Sequence, residues 1–158
     1  MGEQRFGLGF DAHPFGVGRT LFLGGVRFDG EPGLTGHSDG DAVCHAVADA
    51  LLGAATLGDV GEHFREDDER MEGIGGLDLL ARTVAKVRVR GLAPWSADVT
   101  VLAERPAIAA VRDEIRRNLA STLNVPIERL SVKATRPEGL GLSGDGVGCL
   151  ALAVLSVA

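Results

Sequence analysis

The stretch GHSDGDAVCHAVADALLG, residues 36–53, decides how this chain is read. Two histidines, a serine and three acids stand in a segment otherwise made of small and aliphatic residues. From Ser38 onward the apolar positions Ala42, Val43, Ala46, Val47, Ala50, Leu51 and Ala54 recur at helical spacing, which predicts a helix. Ser38 or Asp39 can cap its start, and Gly58 and Gly61 are placed to stop it. On such a helix Asp41, His45 and Asp49 follow one another at i, i+4 and i+8, so they share a stripe. That stripe is either a wet face or one wall of a metal site.

Working outward, RFGLGFDAH (5–13) reads as extended and LFLGGVRF (21–28) as a hairpin turning at Gly24-Gly25. Residues 62–76 are polar and glycine-rich, which predicts an exposed loop. A second helix is expected over 77–90, with Gly91 as its stop, followed by a strand over 97–104. Pro106 is expected to open a third helix carrying Ile108, Val111, Ile115 and Leu119 on one face. LSVKAT (130–135) and residues 147–157 read as strands flanking a glycine loop. The order β-β-α-α-β-α-β predicts an α+β fold, an α/β sandwich with a mixed sheet and helices packed on one face. With no repeat or linker in 158 residues, one domain over 1–158 is expected.

Composition narrows the function. A formal net charge of −6 argues against a nucleic-acid partner or an anionic membrane surface. An acidic chain that takes a polyanionic small substrate needs local cations. Aromatic content of 4% means an aliphatic core and no base-stacking platform. Two cysteines make no disulfide framework, and the N-terminus has no signal-peptide pattern, so a cytoplasmic location is expected. No apolar run reaches the roughly 20 residues of a membrane span.

In FDAH (10–13), Asp11 and His13 point the same way if the segment is a strand. With His45 they make one carboxylate and two imidazoles, the ligand count of a catalytic zinc site with an open fourth position. Spacing alone leaves the alternative of salt-bridged surface groups, and it does not say which histidine meets which aspartate. Gly139, Gly141 and Gly144 match G-x-G-x-x-G, but no helix follows them, so a dinucleotide site is rejected. KATRPEG (133–139) gathers Lys133, Thr135, Arg136 and Glu138 at a strand end, where they suit phosphate and a hard cation. Cys44 points away from its neighbour His45 and reads as packing.

As a set, GLGFDAHPF (7–15), LGGVRF (23–28), GHSDGDAVCHAVADALLGAATLGDVGEHF (36–64), DVTVLAERP (98–106) and LSVKAT…EGLGLSG (130–144) resemble the 2-C-methyl-D-erythritol 2,4-cyclodiphosphate synthases, in order and over essentially the full length. The resemblance implies a homotrimer with a site at each subunit interface. It implies that Asp11, His13 and His45 hold Zn²⁺ or another divalent transition metal, and that His37 and Ser38 meet the substrate phosphates from a mobile loop. Asp59 and Gly61 would hold the erythritol part, with Phe64 and Asp68 alongside. Ala103, Pro106, Ala107 and Ile108 would receive the cytosine, mostly through backbone. Thr135 and Glu138 would contact the diphosphate, with Glu138 also near a Mg²⁺ or Mn²⁺, and Arg136 and Leu142 would complete the substrate-binding set. His37 and Arg136 fall at the catalytic positions. The implied substrate is a cytidine diphosphate-linked small molecule, closed to a cyclic diphosphate with release of CMP. The alternatives are a metal- and cytidine-nucleotide-binding trimer with impaired turnover, or a metal-dependent phosphoesterase.

The chain departs from the family pattern in places. Arg136 and Pro137 stand where threonines are usual, and Gly139 replaces a lysine. Asp145 replaces an arginine of the trimer's central cavity, so binding of isoprenoid diphosphates there is expected to be weak or absent. Arg65 and Ala107 replace a proline and a lysine.

Overall fold

The computed structural model describes residues 3–65, 67–141 and 145–157. The chain makes strands β1 (Gln4–Gly16), β2 (Leu21–Leu23), β3 (Val26–Phe28) and β4 (Gly33–Leu34), then helices α1 (Ala42–Ala54), α2 (Val60–His63) and α3 (Gly76–Val89). Strand β5 (Leu92–Leu102), helix α4 (Arg112–Leu123), strand β6 (Leu130–Thr135) and strand β7 (Gly146–Val157) complete it. The main sheet runs β4-β1-β7-β5-β6, and β2-β3 forms a separate hairpin. Among the described residues only β5 and β6 pair in parallel; the other pairings are antiparallel, so the sheet is mixed as expected. Helix α1 lies on β1, β7 and β5, α3 on β5 and α4 on β6.

Helix α1 is the centre of the core. Its Ala-rich sequence has high helix propensity and little bulk, and eleven of its thirteen residues are buried. It rests directly on β1 because Gly7 and Gly9 lie beneath it. A Cβ on Gly9 would overlap the Ala46 carbonyl oxygen and sit 2.6 Å from the Ala50 nitrogen. The rest of the core is mainly aliphatic, with Leu21, Leu23, Leu34, Leu80, Ile115, Leu119 and Leu155 fully enclosed.

Four expected boundaries move. The cap of α1 is Asp41, neither Ser38 nor Asp39: its carboxylate accepts from the Val43 and Cys44 amides at 3.1 and 3.0 Å. The same carboxylate accepts from Gly24 and Gly25 of the hairpin turn at 2.8 Å each. Both glycines have positive φ, +57° and +73°, as a tight hairpin turn needs. The helix stops at Ala55, ahead of Gly58, and Gly61 lies inside α2. Strand β5 begins five residues before the expected Ala97, because a register shift between Pro94 and Ser96 hides its alternation. The third helix begins at Arg112 rather than Pro106; a turn closed by Val111 N–H to the Ile108 carbonyl precedes it.

The sheet face away from the helices is bare. Phe6, Leu8 and Phe10 of β1 and Leu150 and Leu152 of β7 point out from it, Leu8 being 66% exposed. Leu8 pairs with Leu152 and Phe10 with Leu150, so these side chains form one contiguous patch. Toward β5 and β6 the face turns polar, with Lys133 donating to Asp98 at 2.6 Å.

Asp41→Ala removes the acceptor for four backbone N–H groups in one step. It is expected to cost about 3 kcal/mol or more of stability in urea unfolding, against a smaller loss for Asp41→Asn.

Candidate active site

Alternation along β1 turns Asp11 and His13 toward the helical side, while Phe10 and Ala12 face out. Helix α1 brings in His45, whose backbone N–H donates to the Asp41 carbonyl at 3.0 Å. His13 Nε2 lies 2.8 Å and His45 Nδ1 3.3 Å from the same Asp11 Oδ2. One ligand atom from each residue lies within 4.8 Å of the other two. Asp11 Oδ2 and His13 Nε2 are buried and make no properly directed hydrogen bond. Three donors that converge without bonding one another suit a divalent cation at their common focus. The question of which histidine meets which aspartate is answered by Asp11, which both approach.

The stripe Asp41–His45–Asp49 does not act as one group. Asp41 turns to the hairpin, and Asp49 accepts from the Val60 N–H at 3.1 Å. Burial works to raise the Asp11 carboxyl, but the closely approaching, positively charged His13 and His45 rings outweigh it and hold it down at about 2. Burial works to lower His45, but the adjoining Asp11 carboxylate, with Asp41 and Asp39 behind it, raises it above 6.5. Burial pushes the Cys44 thiol well up, as befits a packing residue.

The loop before α1 stands over this triad. Ser38 Oγ lies 3.1 Å from His45 Nε2, the ring nitrogen on the far side from Asp11. Asp39 accepts from the Asp41 N–H at 3.0 Å and from the Gly76 N–H at 2.8 Å, tying the loop to the start of α3. The Gly73 N–H donates to the His37 carbonyl at 2.8 Å.

A cavity of about 400 Å³ opens beside the triad. Eight expected site residues line it: Asp11, His13, His37, Ser38, His45, Asp59, Gly61 and Phe64. Asp59 caps α2 by accepting from the Glu62 N–H at 2.9 Å, which sets it and Gly61 at the rim. Asp68 lies elsewhere. It pairs with Arg70 at 2.8 Å and lines a neighbouring groove with His63, Arg82 and Lys86. Met71 and Ile74, which the sequence reading places only in a loop, also line the main cavity, as does Arg65, noted there only as the replacement of a proline. Their apolar and basic character in a mostly acidic segment is the one sequence signal they leave.

The remaining expected residues form a second cluster. Ala103, Pro106, Ala107 and Ile108 follow β5, and Thr135, Arg136 and Glu138 end or follow β6. The Ala103 N–H donates to the Thr135 carbonyl at 3.2 Å, and the Gly139 N–H to Glu104 Oε1 at 3.4 Å, joining the two segments. None of these residues lines the metal-side cavity, and Glu138 is not part of the Asp11–His13–His45 cluster. Glu138 has φ +54°, a left-handed conformation. Leu142 falls outside the described residues. Both clusters lie at the same end of the sheet, since β1, β5 and β6 all run toward it, with β7 between.

The YgbB family model matches residues 4–158. A protein from Salinibacter ruber described as 2-C-methyl-D-erythritol 2,4-cyclodiphosphate synthase is 46% identical over 154 residues, 98% of each chain. A solved 2C-methyl-D-erythritol-2,4-cyclodiphosphate synthase in a CDP-bound form superposes with TM-score 0.88 at 33% identity, over 96% of this chain and 100% of that one. The bifunctional IspDF from Campylobacter jejuni superposes with TM-score 0.93 at 37% identity; this chain is covered fully and spans 43% of that longer protein.

The pair of Asp11 and His45 gives the metal-free chain a defined pH window. Asp11 is depressed, so its contribution is full above 3.8 and is lost as pH falls toward about 2. His45 is raised, so its contribution is full below 6.5 and is lost as pH climbs through its raised value. A divalent cation such as Zn²⁺ taken up at this cluster would have to displace the His45 proton, so its affinity is expected to fall about tenfold per pH unit below that value. His45→Ala should weaken Zn²⁺ binding at least about 100-fold at neutral pH. Titration calorimetry across pH 5.5 to about 8 checks both.

Proposed function

The chain belongs to the YgbB family, and from that premise we propose that it catalyses the 2-C-methyl-D-erythritol 2,4-cyclodiphosphate synthase reaction. The observation that carries the proposal is the convergence of Asp11, His13 and His45 beside the His37–Ser38 loop over one cavity. The substrate is 4-diphosphocytidyl-2-C-methyl-D-erythritol 2-phosphate. An oxygen of its 2-phosphate attacks the β-phosphorus. The bond from that phosphorus to the oxygen bridging the α-phosphate breaks, and CMP leaves with that oxygen. The product is the cyclic diphosphate, which makes the enzyme a phosphorus–oxygen lyase of isoprenoid (terpenoid) biosynthesis.

The attacking phosphate is already ionised, so no strong general base is required. What remains is to bring two anions together and hold them. Cations held by Asp11, His13 and His45, as Zn²⁺, and near Glu138, as Mg²⁺ or Mn²⁺, would neutralise the phosphate oxygens. His37 and Ser38 hold the phosphates from the loop, while Asp59, Gly61 and Phe64 enclose the erythritol. Residues 103–108 take the cytosine, and Thr135 and Arg136 donate to the diphosphate. Holding the reacting groups in line is worth about 7–11 kcal/mol in favourable cases.

The two clusters are read as halves of one site, completed by a neighbouring subunit of a homotrimer. The bare apolar patch of the sheet supports this, because an apolar area of that kind is normally covered by a partner. Residues 1–158 are read as one such domain, in keeping with a core that runs through all its layers. Cytoplasmic work fits two buried free thiols. Among the described residues no helix is long and apolar enough to cross a membrane.

Two measurements test this. The parent chain, with Zn²⁺ and Mg²⁺, is expected to release CMP and form the cyclic product, with loss of about 100-fold or more in His45→Ala. Turnover that appears only in Arg136→Thr would assign this chain to the binding-only reading, and no turnover in either would end the synthase reading. For assembly, Leu8→Glu places a charge in the bare patch. The expected result is a trimer mass for the parent by light scattering and a monomer mass for the variant, with CMP release lost alongside.

A further inference from the structure

We infer that Arg19 is the positioning residue of the His37–Ser38 loop; this rests on the synthase reading above. Arg19 follows β1, far from the loop in sequence. Its guanidinium reaches across with two nitrogens. One donates to the Gly36 carbonyl at 2.6 Å, and the other to the Ser38 carbonyl. The two carbonyls bracket His37, so a single planar fork fixes the backbone on both sides of it. The Arg19 backbone is itself anchored, its carbonyl accepting from the Gly33 N–H at 3.0 Å beside β4. A Cβ on Gly33 would lie 2.6 Å from the Arg19 carbonyl carbon, so the approach is close.

The grip passes on to the metal ligands. With the Ser38 carbonyl held, Ser38 Oγ stays 3.1 Å from His45 Nε2 and also accepts from the Gly40 N–H at 3.1 Å. A hydroxyl on the far nitrogen of a ligating imidazole orients the ring and fixes which nitrogen faces the metal. Gly36, at φ +149°, and Gly40, at φ +74°, make the backbone on either side of this loop pliable, so it needs an external brace. Lysine cannot replace the brace: an ammonium is a point donor and does not span two carbonyls in one plane.

The experiment compares the parent with Arg19→Ala and Arg19→Lys. It uses Zn²⁺ titration of the metal-free chain, steady-state kinetics of CMP release, and added guanidinium ion at concentrations that leave the parent unchanged. Arg19→Ala is expected to lose about tenfold in Zn²⁺ affinity and about 10–100-fold in kcat/KM. The loss falls mainly on kcat, because the cytosine end of the substrate is held by residues 103–108. Guanidinium ion restores part of both, and Arg19→Lys recovers less than half of the loss. Unchanged Zn²⁺ affinity and kcat in Arg19→Ala overturn the inference, as does full activity in Arg19→Lys, which would make the role one of charge alone. If Arg19→Ala folds poorly, a loss in both properties with no response to guanidinium ion also overturns it. A parent that binds Zn²⁺ but releases no CMP counts against the synthase reading, while the Zn²⁺ comparison still decides the role of Arg19.

Discussion

The buried carboxylate of Asp41 is the junction on which the architecture depends. It is fully enclosed and accepts four backbone N–H groups, two from the hairpin turn and two from the first turn of α1. A buried carboxylate is tolerable only with such a set of donors. Because those donors come from two elements, the hairpin and the helix cannot move independently. The His45 amide then bonds to the Asp41 carbonyl, so the candidate metal ligand is placed one turn from the junction. On the other side Asp39 links the Asp41 amide to the start of α3. The acids of the DGD run are therefore structural. They tie the end of the loop before α1 to the hairpin and to α3, while Gly36, His37 and Ser38 line the cavity.

Close approach is the second constraint, and it explains why the triad forms at all. Asp11 and His13 sit on β1 and His45 on α1, so the strand-to-helix distance sets whether their ligand atoms meet. Gly7 and Gly9 let the helix backbone lie against the strand, and its alanines keep that layer thin. Any side chain at Gly9 would meet the helix backbone at Ala46, the residue after His45. The catalytic geometry and the packing of the core are thus one requirement, met by the same small residues.

The metal half of the site was legible because it follows from periodicity. Period two in β1 puts Asp11 and His13 on one side, and the helical run places His45 on a helix that must cover that side. The cap of α1 was not legible, since Ser38, Asp39 and Asp41 are all good capping residues and only the hairpin's position selects among them. The start of α4 was misplaced because Ile108 and Val111 pack in phase with the helix although they belong to the turn before it. The early start of β5 was hidden by its irregularity at Pro94–Ser96. Arg19 left no trace, because its partners are backbone carbonyls and a carbonyl has no sequence signature.

Charge explains why such a site is divided. A chain with net charge −6 repels a substrate that carries three phosphates. The Asp11–His13–His45 cluster offers a carboxylate and two imidazoles that would attract a cation, while in the proposed site the other half would offer Thr135 and Arg136. Within one chain, β7 separates β1 from β5, a gap of about 10 Å from strand to strand. The two halves open at the same end of the sheet yet share no cavity among the described residues. In the proposed trimer, the association that covers the apolar face of β1 and β7 also brings one subunit's metal half to another's nucleotide half. Loss of the apolar contact would then remove activity without touching a ligand or a phosphate donor, which couples assembly to chemistry through the sheet itself.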